Sequence, residues 1–186
     1  KPVGPFYPEF RALELIRQKR WKMKEDAGRG WRKVVPSPNP LEIVQLEAIL
    51  QLLRLGHCVI AGGGGGIPVI RDASGFLVGV EAVIDKDRVA SMLADQIGAS
   101  LFVILTGVPK VALDFGRPSQ RWLDRLTVEE ARRHLADGQF PPGSMGPKIE
   151  SAIAFIDAGG EEVLITTAEA LKNEPYETVG TRIVRG

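Results

Sequence analysis

The residues best suited to chemistry in this chain are cations and glycines, not histidines or cysteines. Lys148 ends the run Gly143-Ser144-Met145-Gly146-Pro147-Lys148, Lys86 stands between Asp85 and Asp87, and Gly62 to Gly66 are five successive glycines. Glycines let backbone N–H groups come close to a bulky anion, and ammonium groups neutralise it. Phosphoryl transfer asks for little else, because it depends mainly on positioning and charge neutralisation.

Each segment also has a plainer account. A glycine run alone is usually a flexible loop, but this one lies between two predicted strands. It is not a dinucleotide fingerprint: from Gly62, Gly63 or Gly64 the last glycine position falls on Ile67, Pro68 or Val69. It is not a P-loop either, since no Gly-Lys pair occurs in the chain. Asp85 and Asp87 suit a helix start as caps, yet capping does not explain Lys86 between them. A carboxylate that orients lysines towards a phosphoryl group explains all three. Pro147 is expected at the first position of a helix, with Lys148 in its first turn. A cation there is mildly disfavoured by the helix dipole unless an anion binds at the same terminus. A solvated surface lysine is the alternative, and the flanking glycines favour the anion site.

The elements that must hold these groups alternate helix and strand. Pro8 to Arg20 predicts a short helix with Phe10, Leu13 and Ile16 on one face, and "WRKVV" a ribbon returning beside it. "PSPNP" reads as a linker. Asn39 predicts a cap, with Pro40 first in the helix and Glu42 three residues after the cap. Leu46, Ile49, Leu50 and Leu53 form its buried stripe and Gly56 its end. "HCVIA" predicts a short buried strand feeding the glycines. "IPVIRD-ASG-FLVGV" predicts a hairpin turning at Ser74 and Gly75. A helix from near Asp85 to Gly98 has Val89, Met92 and Leu93 inward, and "SLFVILT" suits a strand covered on both faces. Thr127 and Glu130 form a capping box for a helix ending near Gly138. Another helix places Ile149, Ile153 and Ile156 inward, and "EVLIT" and "TVGTRIV" are further strands. Such αβ units predict a largely parallel sheet with helices on both faces and a ligand site beyond the strands' carboxyl ends.

Composition narrows the function classes. The chain has 186 residues, enough for a real core, with 24 basic against 23 acidic side chains. That balance supplies no global field for nucleic acid or an anionic membrane, and no apolar run approaches a membrane span. The basic turn at Arg29, Trp31, Arg32 and Lys33 is read as a packed turn, not a nucleic-acid site. Cys58 is the only cysteine, so a reducing, cytoplasmic setting is expected, with Cys58 as a small core residue. His57 and His134 are read as structural or solvent-facing, and no zinc site is expected. Asp114, Arg117 and the charges from Arg121 to Arg125 read as a solvated face. The chain opens on Lys1 and the rigid turn sequence "PVGPFYP", from which a fragment of a longer protein is expected.

The stretches "KPVGPFY", "DAGRGWRKVVPSP", "GGGGGIPVI", "GVEAVIDKD", "ILTGV", "GQFPPGSMGPKIESAIAFI" and "ETVGTRIV" occur in the order found in carbamate kinases, and the chain resembles that family along nearly its whole length. "GSMGPK" alone indicates only the wider amino-acid kinase superfamily, whereas "KPVGPFY" and "GRGWRKVVPSP" are more specific. The resemblance implies a three-layer αβα sandwich with a mainly parallel sheet and a small protruding lid. Residues 1–38 would be the lid and residues 39–186 the nucleotide-binding domain. It implies reversible phosphoryl transfer between ATP and carbamate, giving ADP and carbamoyl phosphate, with Mg²⁺ and a place in arginine catabolism. It also implies a homodimer.

Carried over by motif, Lys1 would contact the carbamoyl phosphate end, Lys86 and Lys148 would neutralise the transferring oxygens, and Asp87 would hold the lysines in place. Gly62, Gly63, Gly64 and Gly65 would line the phosphate path. Thr106, Gly107, Val108, Met145 and Gly146 would border the nucleotide, with Lys110 near them; no residue is assigned as a metal ligand. The family's "GGNA" and "GNGPQV" loops are not in this sequence. From the resemblance, an N-terminal portion is expected to have been removed, left out or supplied by another chain, and the isolated chain is expected to lack turnover without it. Two alternatives stay open: a nucleotide-binding fragment without turnover, or a member of the superfamily with another acceptor. The carbamoyl acceptor needs no catalytic histidine, since carbamate is already an anion.

Overall fold

A computed structural model describes residues 1–186. The chain forms two compact units, one of residues 1–40 and 62–86, the other of residues 41–61 and 87–186. The first change of unit falls after Pro40, and residues 62–86 return to the first unit.

In the first unit, β1 (Pro2–Tyr7), β2 (Met23–Glu25) and β3 (Trp31–Val34) make an antiparallel sheet in the order β1-β3-β2. Gly30 takes φ +120°, and a Cβ there would meet the Tyr7 carbonyl oxygen at 2.9 Å, so the turn into β3 needs glycine. The helix α1 (Glu9–Lys19) is where expected, but it buries Ala12 and Leu15. Phe10 and Leu13 are exposed instead. The covered side of α1 is the one bearing Ala12 and Leu15, with Ile16 half-buried beside them. The strands β4 (Val69–Arg71) and β5 (Leu77–Gly79) form the expected hairpin. Its turn is fixed by Asp72, whose side chain accepts the Ser74 and Phe76 amides at 2.8 and 3.0 Å.

The second unit holds α2 (Leu46–Arg54) and, from Asp87 on, all but the first residue of α3 (Lys86–Gln96). The expected helix start at Asn39 is too early. Helix forms only from Leu46, and of the expected stripe only Ile49 is buried, with Leu46, Leu50 and Leu53 half-buried. The expected strand "HCVIA" is absent. No strand pairs with residues 57–61, Ile60 is 99% exposed, and Cys58 is exposed and not a core residue. Apolar composition alone cannot make a strand whose backbone groups find no neighbour.

A mixed sheet centres this unit, with β6 (Leu101–Leu105), β9 (Arg125–Thr127), β10 (Glu162–Thr166) and β11 (Thr181–Val184) in the order β6-β10-β11-β9. The outer pairs are parallel and β10-β11 is antiparallel. Register places Phe102, Val163, Ile183 and Leu126 in one row, and the helices α4 (Val128–Ala136) and α5 (Met145–Ala158) pack on that face. Phe102 and Phe155 meet edge-on at 5.6 Å. Along β6, Phe102 and Ile104 are buried while Leu105 is 51% exposed, so the strand is not covered on both faces as expected. Three further short elements complete the unit: the hairpin of β7 (Val111–Leu113) and β8 (Arg121–Leu123), and α6 (Ala168–Asn173). The charged side chains Arg117, Arg121, Asp124 and Arg125 are solvent-exposed as expected, although part of this segment is sheet. Buried Thr181 ties it in, its hydroxyl accepting the Val111 amide at 2.8 Å and donating to the Leu123 carbonyl.

The capping box of α4 is as the sequence requires. Glu130 N–H donates to Thr127 Oγ1 at 3.2 Å, and Thr127 N–H donates to the Glu130 carboxylate at 2.9 Å. That amide, then the Thr127 hydroxyl, holds the Glu130 carboxyl below the usual carboxylate range. A carboxyl held low adds stability above its ordinary pKa and loses it as pH falls through the lower, folded-state value. Thr127→Ala should lower stability by about 1 kcal/mol in urea unfolding at neutral pH. The gap between variant and wild type should narrow in acid.

Candidate functional site

Lys86 is the first residue of α3, and the passage between the two units falls between it and Asp87. The triplet Asp85-Lys86-Asp87 therefore contributes to both units.

In the first unit, Asp85 is buried at 7% exposure, and its carboxylate forms an ion pair with the Lys1 ammonium. Lys86 is exposed. The glycine run makes a tight turn at Gly63–Gly65, where Gly65 N–H donates to the Gly62 carbonyl at 2.9 Å and Gly66 N–H to that of Gly63 at 3.2 Å. Positive φ at Gly62, Gly64, Gly65 and Gly66 explains why the run carries no side chains. Gly65 is also buried against the triplet: a Cβ there would lie 2.1 Å from the Ile84 carbonyl oxygen. The run is thus a wedge against the backbone bearing Asp85 and Lys86, not a flexible loop. Two of its amides are already used within the run.

In the second unit, Lys148 Nζ donates to both carboxylate oxygens of Asp87, at 3.1 and 2.9 Å. Both residues are 8% exposed. A lone ammonium would not tolerate that burial, so the Asp87 carboxylate is the condition for Lys148 being there. Two more contacts join α3 to α5: Arg88 to Glu150 at 3.2 Å, and the Ser91 hydroxyl donating to the Ser151 carbonyl at 2.9 Å. The contacts recur at helical spacing along both elements and fix their register.

The helix α5 starts at Met145, two residues before the expected start at Pro147. Proline is tolerated at the third position because the first amides of a helix have no partner within it. The Pro141 carbonyl accepts the Ser144 and Gly146 amides at 3.2 and 2.9 Å. The expected convergence of helix amides on an anion loses the Gly146 contribution, and the Lys148 side chain carries more of the positive character. A Cβ on Gly146 would lie 3.0 Å from the Pro141 oxygen, so glycine closes this loop.

The remaining candidates lie on the strand ends of this unit. Thr106, Gly107 and Val108 follow β6, and Thr106 N–H donates to the Thr166 carbonyl at the end of parallel β10, at 2.8 Å. Met145 packs on the margin of the core. Lys110 is ion-paired with Asp124, which gives it a structural partner. Two residues were missed by sequence reasoning as site builders. Asp85 looked like a cap, although its place flanking Lys86 as Asp87 does was a usable signal. Ser91, one helical turn after Asp87, had none.

Residues 12–167 match the model of the amino acid kinase family. The chain belongs to the amino acid kinase family. Within it, the chain is 47% identical over 185 residues to a carbamate kinase of Thermococcus kodakarensis, and the match takes in 100% of this chain. A crystal structure from Aeropyrum pernix K1 aligns with TM-score 0.91 at 45% identity, covering 100% of this chain and 60% of that one. A carbamate kinase of Giardia lamblia bound to AMP-PNP aligns with TM-score 0.85 at 41% identity, covering 99% of this chain and 58% of that one. The chain spans 58% of the length of the Thermococcus relative.

In this buried pair, Asp87→Asn should strand the Lys148 ammonium and cost about 3–5 kcal/mol in urea unfolding. Combining it with Lys148→Met should recover most of that loss.

Proposed function

We propose that this chain provides the nucleotide-phosphate and acceptor lysines of a carbamate kinase, which moves a phosphoryl group between ATP and carbamate. The observation that carries the reading is the desolvated Lys148 ammonium held by both oxygens of Asp87. A lysine fixed before substrate arrives can neutralise developing phosphoryl charge without reorganising. Identity of 47% to a carbamate kinase along the whole of the chain supports the choice of acceptor.

Towards ATP, a β-phosphate oxygen of ADP attacks the phosphorus of carbamoyl phosphate, the bond to the carbamoyl oxygen breaks, and carbamate leaves as an anion. Towards carbamoyl phosphate, a carbamate oxygen attacks the γ-phosphorus of ATP and ADP leaves. No proton moves to a side chain in either direction. In the second unit, Lys148 neutralises the transferring oxygens, Asp87 orients it, and Thr106, Gly107, Val108, Met145 and Gly146 border the nucleotide. In the first unit, Lys86 also faces the phosphoryl oxygens, Lys1 meets the carbamoyl end, and Gly62 to Gly65 line the phosphate path. No three His, Cys, Asp or Glu side chains gather into a metal cage. Mg²⁺ usually rides on substrate phosphate oxygens, and it would supply further charge neutralisation.

A second reading, a nucleotide-binding module without turnover, is favoured by the chain's spanning only 58% of the Thermococcus relative. The two separate in one experiment on this chain: isothermal titration with Mg·ADP beside ATP formation from ADP and carbamoyl phosphate. Binding with turnover supports the kinase, and binding without it supports the module. ATP formation from another acyl phosphate in preference to carbamoyl phosphate overturns the acceptor assignment. With turnover established, Lys148→Met combined with Asp87→Asn, which leaves neither charge stranded, should lower kcat about 100-fold or more, with its circular dichroism spectrum unchanged. A wild-type rate in that variant removes Lys148 from the chemistry.

A further inference from the structure

We propose that Asp85 is the positioning residue for Lys1, a task separate from that of Asp87. The inference deepens the kinase reading of the same site and rests on it for the identity of the acceptor. Lys1 and Asp85 are 84 positions apart in sequence, yet their side chains form an ion pair within the first unit. The two ends are unequal: the Asp85 side chain is 10% accessible and that of Lys1 38%. A fixed, buried carboxylate thus holds a cation whose surface still reaches solvent, which suits an ammonium that must meet an incoming anion.

The backbone on both sides is pinned to one short stretch. Val35 N–H donates to the Lys1 carbonyl at 2.9 Å, and Val83 N–H donates to the Pro36 carbonyl at 3.0 Å. Gly65 packs against Ile84 from the other side, leaving no room even for a methyl group. Asp85 therefore has little freedom to move, and it passes that restriction to Lys1. A free lysine must lose its rotamer freedom when substrate binds; one already anchored does not.

A second ion pair, Lys33 with Glu81, spans the same part of the unit, but the Glu81 side chain is 70% accessible. Exposed pairs of that kind contribute little. The comparison isolates what burial adds: only Asp85 is both fixed and desolvated, so only it can dictate where its lysine sits. Asp85 and Asp87 flank Lys86 and each holds a different lysine, Lys1 and Lys148.

Competitive acetylation of the Lys1 side-chain amine, located by fragment mass spectrometry, tests the pairing on the chain itself. Asp85→Asn should speed labelling about fivefold, because the side chain is released from the carboxylate that holds it. Asp85→Glu should return it to near the wild-type rate, and Glu81→Gln should change it by less than about twofold. In turnover, Asp85→Asn should raise the carbamoyl phosphate KM about tenfold and leave the ADP KM unchanged. Adding Asp85→Asn to Lys1→Ala should cost nothing further. Unchanged labelling in Asp85→Asn, equal rises in both KM values, or additive losses in the double variant overturn the proposal. Labelling needs no turnover, so a chain that labels as expected but forms no ATP supports the Asp85–Lys1 coupling and counts against the kinase reading alone.

Discussion

The second unit depends on a buried ammonium facing a buried carboxylate. Lys148 and Asp87 each sit at 8% exposure, where an isolated charge would cost several kcal/mol. Their pairing makes that burial tolerable and, through Arg88–Glu150 and Ser91–Ser151, fixes how α3 lies along α5. The apolar side of α5 is held just as firmly, with Ile149, Ile153 and Ile156 in the core over β6, β10, β11 and β9. One helix thus carries a rigid charge at its start and the centre of the core along its length. A charge mounted in this way cannot drift when its surroundings change.

The first unit solves the same problem with less material. Its sheet is three strands wide, and stiffness around Asp85 comes from close backbone approach and not from a large core. Gly65 supplies it, since only a residue without Cβ can lie against Ile84. The glycine run that invited a phosphate reading is thereby also a structural wedge. The two roles are compatible, because a backbone packed this tightly presents its other side without side chains.

Much of the fold was readable because its signals are local. The capping box at Thr127 and Glu130, the hairpin turn at Ser74 and Gly75 and the isoleucines of α5 each satisfy a physical rule within a few residues. The failures share a cause. Residues 57–61 have the apolar character of a strand, but a strand exists only where another pairs with it. The hairpin of β7 and β8 was passed over because three-residue strands show too little periodicity. Phe10 and Leu13 were expected inward, yet which side of α1 is covered depends on what packs there.

Sequence alone determined the residue types of the site, its membership in an amino acid kinase framework, and the placing of Lys86 between two carboxylates. Only the tertiary structure decided which lysine each carboxylate holds: Asp85 takes Lys1, and Asp87 takes Lys148. It also decided that α5 begins at Met145, and that Pro141 claims the Gly146 amide. The reason is the range of the forces. Caps, turns and helical stripes act over a few bonds and are written locally, whereas charge pairing and desolvation act through space, between residues that only folding makes neighbours.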